Sequence, residues 1–238
     1  MAEVDRLMAS DYGVAPIQLM EVAGSAVATF TRALCPDGDV SGQPILALSG
    51  SGGNGGDALV AARLLHAWGA KVTVILAKPA AAHTGLAADH LRTVQHLGID
   101  VLDGASLDVL PAATVVIDGL LGFGATGAPR GTIAHLIDLA NASPAPILAI
   151  DLPSGLTADT GAALEPCIRA TATLTLGLPK PGLLAPEAAP LVGALTVASI
   201  GAPAAAYHQV GVEVSPDLFA RDTFLPVPTP CESTAHDD

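Results

Sequence analysis

Aromatic side chains are scarce: four Phe, two Tyr and one Trp make up 3% of the 238 residues. Half the residues are nevertheless hydrophobic and mean hydropathy is +0.52, so the core must be largely aliphatic. Charge is also sparse, at 14%, and one-sided, with 10 Lys and Arg against 23 Asp and Glu for a net charge of −13. That field repels nucleic acid and anionic membranes, so neither is an expected partner, although a local basic pocket for one small phosphate is compatible with it. Cys35, Cys167 and Cys231 are too few and too dispersed for a disulfide framework or a zinc cluster, which leaves reduced thiols and a cytoplasmic location as the expectation. The opening Met1-Ala2-Glu3-Val4-Asp5-Arg6 is acidic where an export signal is basic. Ala188 to Val212 lacks charge, but Pro190, Gly193, Gly201 and Pro203 interrupt it, so it reads as buried sheet followed by a loop and not as a membrane span.

The length suits one α/β domain, expected over residues 1–220, with 221–238, rich in Pro, Thr and acids, as a flexible tail. Short β-branched and aliphatic runs alternate with helical periodicity. Strands are expected at Ile45–Ser49, Lys71–Ala77, Ile99–Leu102, Thr114–Asp118, Ile147–Asp151, Thr171–Leu176 and Ala194–Ser199. Val60, Leu64, Ala67 and Trp68, and again Ile133, Leu136, Ile137 and Ala140, mark apolar helix stripes between strands. Two more helices are expected near residues 2–10 and 16–35. His90 shares a stripe with Leu86, Val94 and Leu97 and reads as a packed histidine. The fold class is therefore α/β: a Rossmann-like three-layer sandwich, a mostly parallel sheet with helices on both faces.

Three strand ends carry polar groups. Ser49 to Asp57 holds five glycines in nine residues between a strand and a helix, a place where backbone N–H groups and the helix dipole suit a phosphate or another anion. Gly50, Gly52 and Gly55 satisfy G-x-G-x-x-G, but the next strand ends in Leu76-Ala77-Lys78-Pro79, without the acid that an ordinary dinucleotide dehydrogenase needs for the ribose. Asp118 precedes a second glycine loop, Gly119 to Ala128. Asp151-Leu152-Pro153-Ser154-Gly155 ends a third strand. In a parallel sheet all three converge on the carboxyl edge, where ligands bind.

Gly50 to Asp57, Asp118 to Gly122, Asp151 to Gly155 and Gly177 to Leu184, in this order, resemble the NAD(P)H-hydrate epimerase family, with similarity over about residues 2–203. The resemblance implies a K+ ion held by Asn54, Asp118 and Ser154. It also implies a pocket for NADH or NADPH hydrate lined by Gly53, Asn54, Gly55, Gly56, Asp57, Gly122, Phe123, Gly124, Ala125, Thr126, Gly127, Ala128 and Asp151. The implied reaction interconverts the R and S hydrates at C6 without redox. Asp151 is the candidate catalytic acid/base, with plain substrate binding as its rival role. A noncatalytic nucleotide-binding or scaffolding module on the same fold is the alternative function. A separate dehydratase is the implied functional partner, and the apolar faces of the N-terminal helices suggest a homodimer. Gly53 and Val22 stand where the family usually has asparagine, and Ala58 where it has glycine. Lys180, between Pro179 and Pro181, reads either as a phosphate contact or as a solvated loop lysine.

Overall fold

The β-branched and aliphatic runs form the sheet. In the computed structural model, which describes residues 1–228, the strands are β1 (Pro44–Ser49), β2 (Lys71–Leu76), β3 (Asp100–Asp103), β4 (Val115–Gly119), β5 (Ile147–Ile150), β6 (Ala172–Leu176) and β7 (Ala194–Ala198). They run parallel in the order β3-β2-β1-β4-β5-β6-β7. The chain moves outward from β1 to β3 and then returns to the other side of β1 as β4. The connections after β1 and β4 therefore diverge and leave a crevice between them at the carboxyl edge.

Residue alternation assigns the two faces. Ile45, Ala47, Val72, Val74, Val115 and Ile117 point to one side, where α2 (Pro16–Leu34), α3 (Gly53–Ala67) and α4 (Gly85–His96) cover them. Leu46, Leu48, Ile75 and Val116 point to the other and meet Leu136, Ile137 and Ala140 of α5 (Thr132–Ala142). The core is aliphatic, as composition requires. Each fully buried leucine, such as Leu59 and Leu65, contributes about 1.5–3 kcal/mol. α3 is buried from Asn54 through Ala62, because it lies between α2 and the sheet and so has little polar face to offer solvent. α2 starts at Pro16, and the Ala15 N–H donates to Gln18 Oε1 at 2.7 Å.

Two segments differ from the sequence expectation. Within the expected tail, β8 (Phe224–Pro226) pairs antiparallel with β7, and the Phe224 ring lies 5.8 Å from that of Phe30 on α2. Residues 229–238, the rest of that tail together with Cys231, lie outside the described residues. Past β7, the expected loop contains α7 (Ala204–Gln209), whose Ala206 and Tyr207 pack on Val4 and Met8 of α1 (Ala2–Ser10). The short α6 (Ala189–Val192) precedes β7. Among the described residues, no helix is long and apolar enough to cross a membrane.

Candidate active site

The crevice opens into a cavity of about 550 Å³, with most of its lining apolar. Its floor is built by close backbone contact. The Gly50 N–H donates to Gly119 O at 3.0 Å, and a Cβ on Gly50 would stand 2.0 Å from Leu120 O. A Cβ on Gly55 would stand 1.8 Å from Gly50 O, so only glycine lets the loop fold back against its own helix. Ser51, Gly52, Gly53, Asn54 and Asp57 line the cavity, whereas Gly55 and Gly56 sit behind it, against the Gly50 carbonyl and the Met20 side chain. From the second loop, Gly122, Phe123, Gly124 and Ala125 line it. Thr126, Gly127 and Ala128 instead border an adjoining recess of about 330 Å³ that also includes Arg130.

Asn54, on the cavity lining, is brought together with Asp118 and Ser154, which lie behind it. Asp118 Oδ1 accepts from Ser154 Oγ at 2.7 Å and from the Leu120 N–H at 3.2 Å, while Oδ2 accepts from the Ser154 N–H at 2.8 Å. Ser154 Oγ in turn accepts from the Leu121 N–H at 2.9 Å. Asn54 Nδ2 donates to the carbonyls of Leu121 and Ile150, each at 2.7 Å. These bonds tie the ends of β4 and β5 to the start of α3. Burial pushes the Asp118 carboxyl up to about 6 against the opposing effect of those hydrogen bonds.

Asp151 follows β5 and is 3% exposed. Its φ of 67° places a non-glycine residue in the left-handed region, a strained conformation typical of residues held for function. Three donors converge on Oδ1: the Leu176 N–H at 3.1 Å, Thr175 Oγ1 at 3.3 Å and Lys180 Nζ. Lys180 is itself buried, also donating to Thr175 Oγ1 at 3.2 Å and Leu176 O at 3.1 Å. The solvated-loop reading of Lys180 is therefore overturned, since its ammonium has turned inward to pair with Asp151.

Asp57 lies on the first turns of α3 and faces the same space. Burial is the main influence raising its carboxyl well above the ordinary range, and the charges of Asp151 and Asp5 add to it. Asp5 is itself raised, chiefly by burial.

The family model described as "YjeF-related protein N-terminus" matches residues 16–182. The chain belongs to this family. It is 37% identical to an NAD(P)H-hydrate epimerase of Rhodopirellula baltica over 213 residues, covering 88% of this chain and 85% of that protein. It is 41% identical over 211 residues to a bifunctional NAD(P)H-hydrate repair enzyme Nnr of Moorella thermoacetica, covering 85% of this chain but 39% of that enzyme. The chain thus spans about two fifths of that bifunctional relative. The crystal structure of yeast ynu0 superposes with a TM-score of 0.77 over 95% of this chain and 96% of the yeast chain, at 23% identity, which shows a shared fold.

Against this YjeF-related background, the N-terminal helices gain a place in the site that periodicity alone could not give them. Asp5, Pro16, Leu19, Met20 and Ala23 close one side of the cavity. In the sequence Asp5 stands only in an acidic opening segment and Leu19 and Met20 only in an expected helix, so none of the three is marked there as a site residue. Of the positions that depart from the family pattern, Gly53 lines the cavity, with open space where a Cβ would stand, and Val22 is 43% exposed on α2 outside the lining. His90 is buried on α4 with Nδ1 3.9 Å from Glu21 Oε1, the packed histidine expected.

Proposed function

We propose that the chain epimerises the R and S forms of NADH or NADPH hydrate at C6, without redox chemistry. What carries this reading is the buried, strained Asp151 with its Lys180 partner beside a cavity at the sheet's crossover point, in a chain whose full-length relatives are named for that reaction. The reactive carbon bears both a hydroxyl and the ring nitrogen. Protonating the hydroxyl lets it leave as water while the nitrogen lone pair forms a planar iminium, and water adding to the other face inverts the centre. The site must supply and remove a proton, exclude competing solvent and hold the ring flat. The apolar cavity lining serves the last two needs.

The donors at the floor fit a potassium ion. Asp118 is a wholly buried carboxylate with no basic partner among the described residues, bonded to the Ser154 hydroxyl and close to the Leu121 and Ile150 carbonyls that Asn54 Nδ2 bridges, an oxygen-rich set suited to a hard, undemanding cation. Asn54, Asp118 and Ser154 would hold it. Bound there, the ion would supply fixed positive charge beneath the glycine loops, offsetting the substrate's phosphates.

Asp151 is the acid/base residue of this reading, and a separate dehydratase would consume one of the epimers. Cytoplasmic placement accords with the buried Cys35 and Cys167, which are free thiols among the described residues. Dimerisation through the N-terminal helices accords with Ile17 and Val22 being exposed on α2 and Tyr12 in the connection before it. The test incubates purified protein with one purified epimer of NADPH hydrate in potassium buffer and follows the R/S ratio by chromatography. Equilibration faster than the protein-free control, abolished by Asp151→Asn, is expected. A folded wild type that gives no acceleration would overturn the reading in favour of a binding module.

A further inference from the structure

The hydrogen bonds around Asp151 raise a problem of proton supply. All three of its donors, one of them the Lys180 ammonium, converge on Oδ1 and hold the carboxylate as an anion. No hydrogen bond reaches Oδ2 among the described residues. An anion so held can accept a proton on Oδ2, but in that state it has none to give to a departing hydroxyl.

A second carboxyl faces the same cavity from another element. Asp57, on α3, is 7% exposed and lines the cavity, and neither of its oxygens takes part in a hydrogen bond among the described residues. Among the described residues, the polar side-chain atoms sealed from solvent without a partner are His83 Nε2 and His90 Nε2, so the unpaired Asp57 oxygens reach the cavity space. Its surroundings are the apolar Met20 and Ala23 of α2, Asp5 of α1 and Asp151 beyond β5; of the cations on the cavity lining, Lys180 is engaged by Asp151, and Lys78 follows β2. Burial without a donor, facing two other carboxylates, is the environment in which a carboxyl retains its proton, whereas Asp151 has an ammonium and two further donors on Oδ1.

We propose that Asp57 is the catalytic acid of the site and Asp151 the base, each serving one step of the inversion. The assignment rests on the epimerase reading above. The Asp57 proton passes to the C6 hydroxyl oxygen. The C6–O bond breaks with its electron pair leaving on water, and the N1 lone pair becomes the second bond of C6=N1. Water then adds to the opposite face of C6, the π pair returns to N1, and the released proton goes to Asp151 Oδ2. One proton has moved from Asp57 to Asp151, and exchange with solvent restores the starting state; in the reverse epimerisation the roles exchange, Asp151 protonated on Oδ2 giving the proton and the Asp57 carboxylate accepting it. Nothing is oxidised or reduced, and water is the sole co-reactant.

The test compares wild type and Asp57→Asn for kcat, KM and pH profile of NADPH hydrate epimerisation. Asn is close to isosteric and removes an unpartnered charge, so the variant should fold and, wherever wild-type Asp57 is ionised, melt no lower than wild type. General acid catalysis is worth about 100-fold or more, so kcat should fall by at least that factor, with KM nearly unchanged. The fall in rate as rising pH removes the proton of wild-type Asp57 should disappear. A raised KM with unchanged kcat would reduce Asp57 to a binding residue and overturn the assignment, as would wild-type kinetics in the variant. If Asp57→Asn fails to fold, Asp57→Glu keeps a protonatable group: an active enzyme with a displaced alkaline limb supports the assignment, and an undisplaced limb refutes it. A wild type that does not epimerise defeats the parent reading as well, whereas an active wild type beside an unimpaired Asp57→Asn defeats only the role of Asp57.

Discussion

Replacing Lys180 by Met keeps the length of the side chain and removes its charge, which isolates what the ammonium does for Asp151. In the folded protein Lys180 Nζ donates to Asp151 Oδ1, Thr175 Oγ1 and Leu176 O, with both charged groups buried. Removing one partner of a buried ion pair leaves the other charge uncompensated, a cost of about 3–5 kcal/mol. A domain of this size loses about 2–4 °C of melting temperature per kcal/mol, so Lys180→Met should melt about 6–20 °C lower. Asp151→Asn should also destabilise, by stranding the ammonium, but it should not break the backbone: φ is 67° and asparagine accepts that region as readily as aspartate. The double variant removes both charges together. It should therefore be more stable than the sum of the single effects implies, with a coupling energy of about 2 kcal/mol or more. Urea unfolding of the four proteins at neutral pH measures the cycle. Single-variant costs that add to within about 0.5 kcal/mol would refute a tight buried pair, and with it the claim that Lys180 holds Asp151 as an anion.

The glycine loop and the cation site give two further expectations. Gly55→Ala places a Cβ 1.8 Å from the Gly50 carbonyl oxygen, so it should cost at least about 1–3 kcal/mol, whereas Gly53→Ala meets nothing within 4 Å and should stay within about 0.5 kcal/mol of wild type; equal melting temperatures would sink the packing argument. For Asp118, a folded carboxyl pushed up to about 6 against about 3.9 unfolded means that the folded state binds the proton more tightly. Stability is then lost as pH rises through about 6, by about 3 kcal/mol in a buffer whose only cation is tetramethylammonium. Added potassium should raise the melting temperature above that pH and have little effect well below it. A potassium shift of the same size at both ends would show that the ion does not answer the charge of Asp118.

The features legible in the sequence are those with a local cause. β1 to β7 announce themselves through β-branched runs, and three polar strand ends converge because a parallel sheet sends every strand end to one edge. The rest depends on partners distant in sequence. Phe224-Leu225-Pro226 has too little pattern to read as a strand, and it becomes one because β7 offers an edge and Phe30 a ring to pack against. Ala204–Gln209 is helical beside α1, a contact that no window around residue 204 contains. Lys180 between two prolines looks like a surface lysine until Asp151, 29 residues earlier, is seen to face it. The three aspartates separate in the same way. Asp118, Asp151 and Asp57 are alike as letters, yet one is tied by hydrogen bonds to Ser154 and Leu120, one is paired with an ammonium, and one is left without a donor. Composition and spacing locate carboxyls at a site, but burial and the donors assembled around each together decide whether it keeps its proton, and that sorting separates an acid from a base.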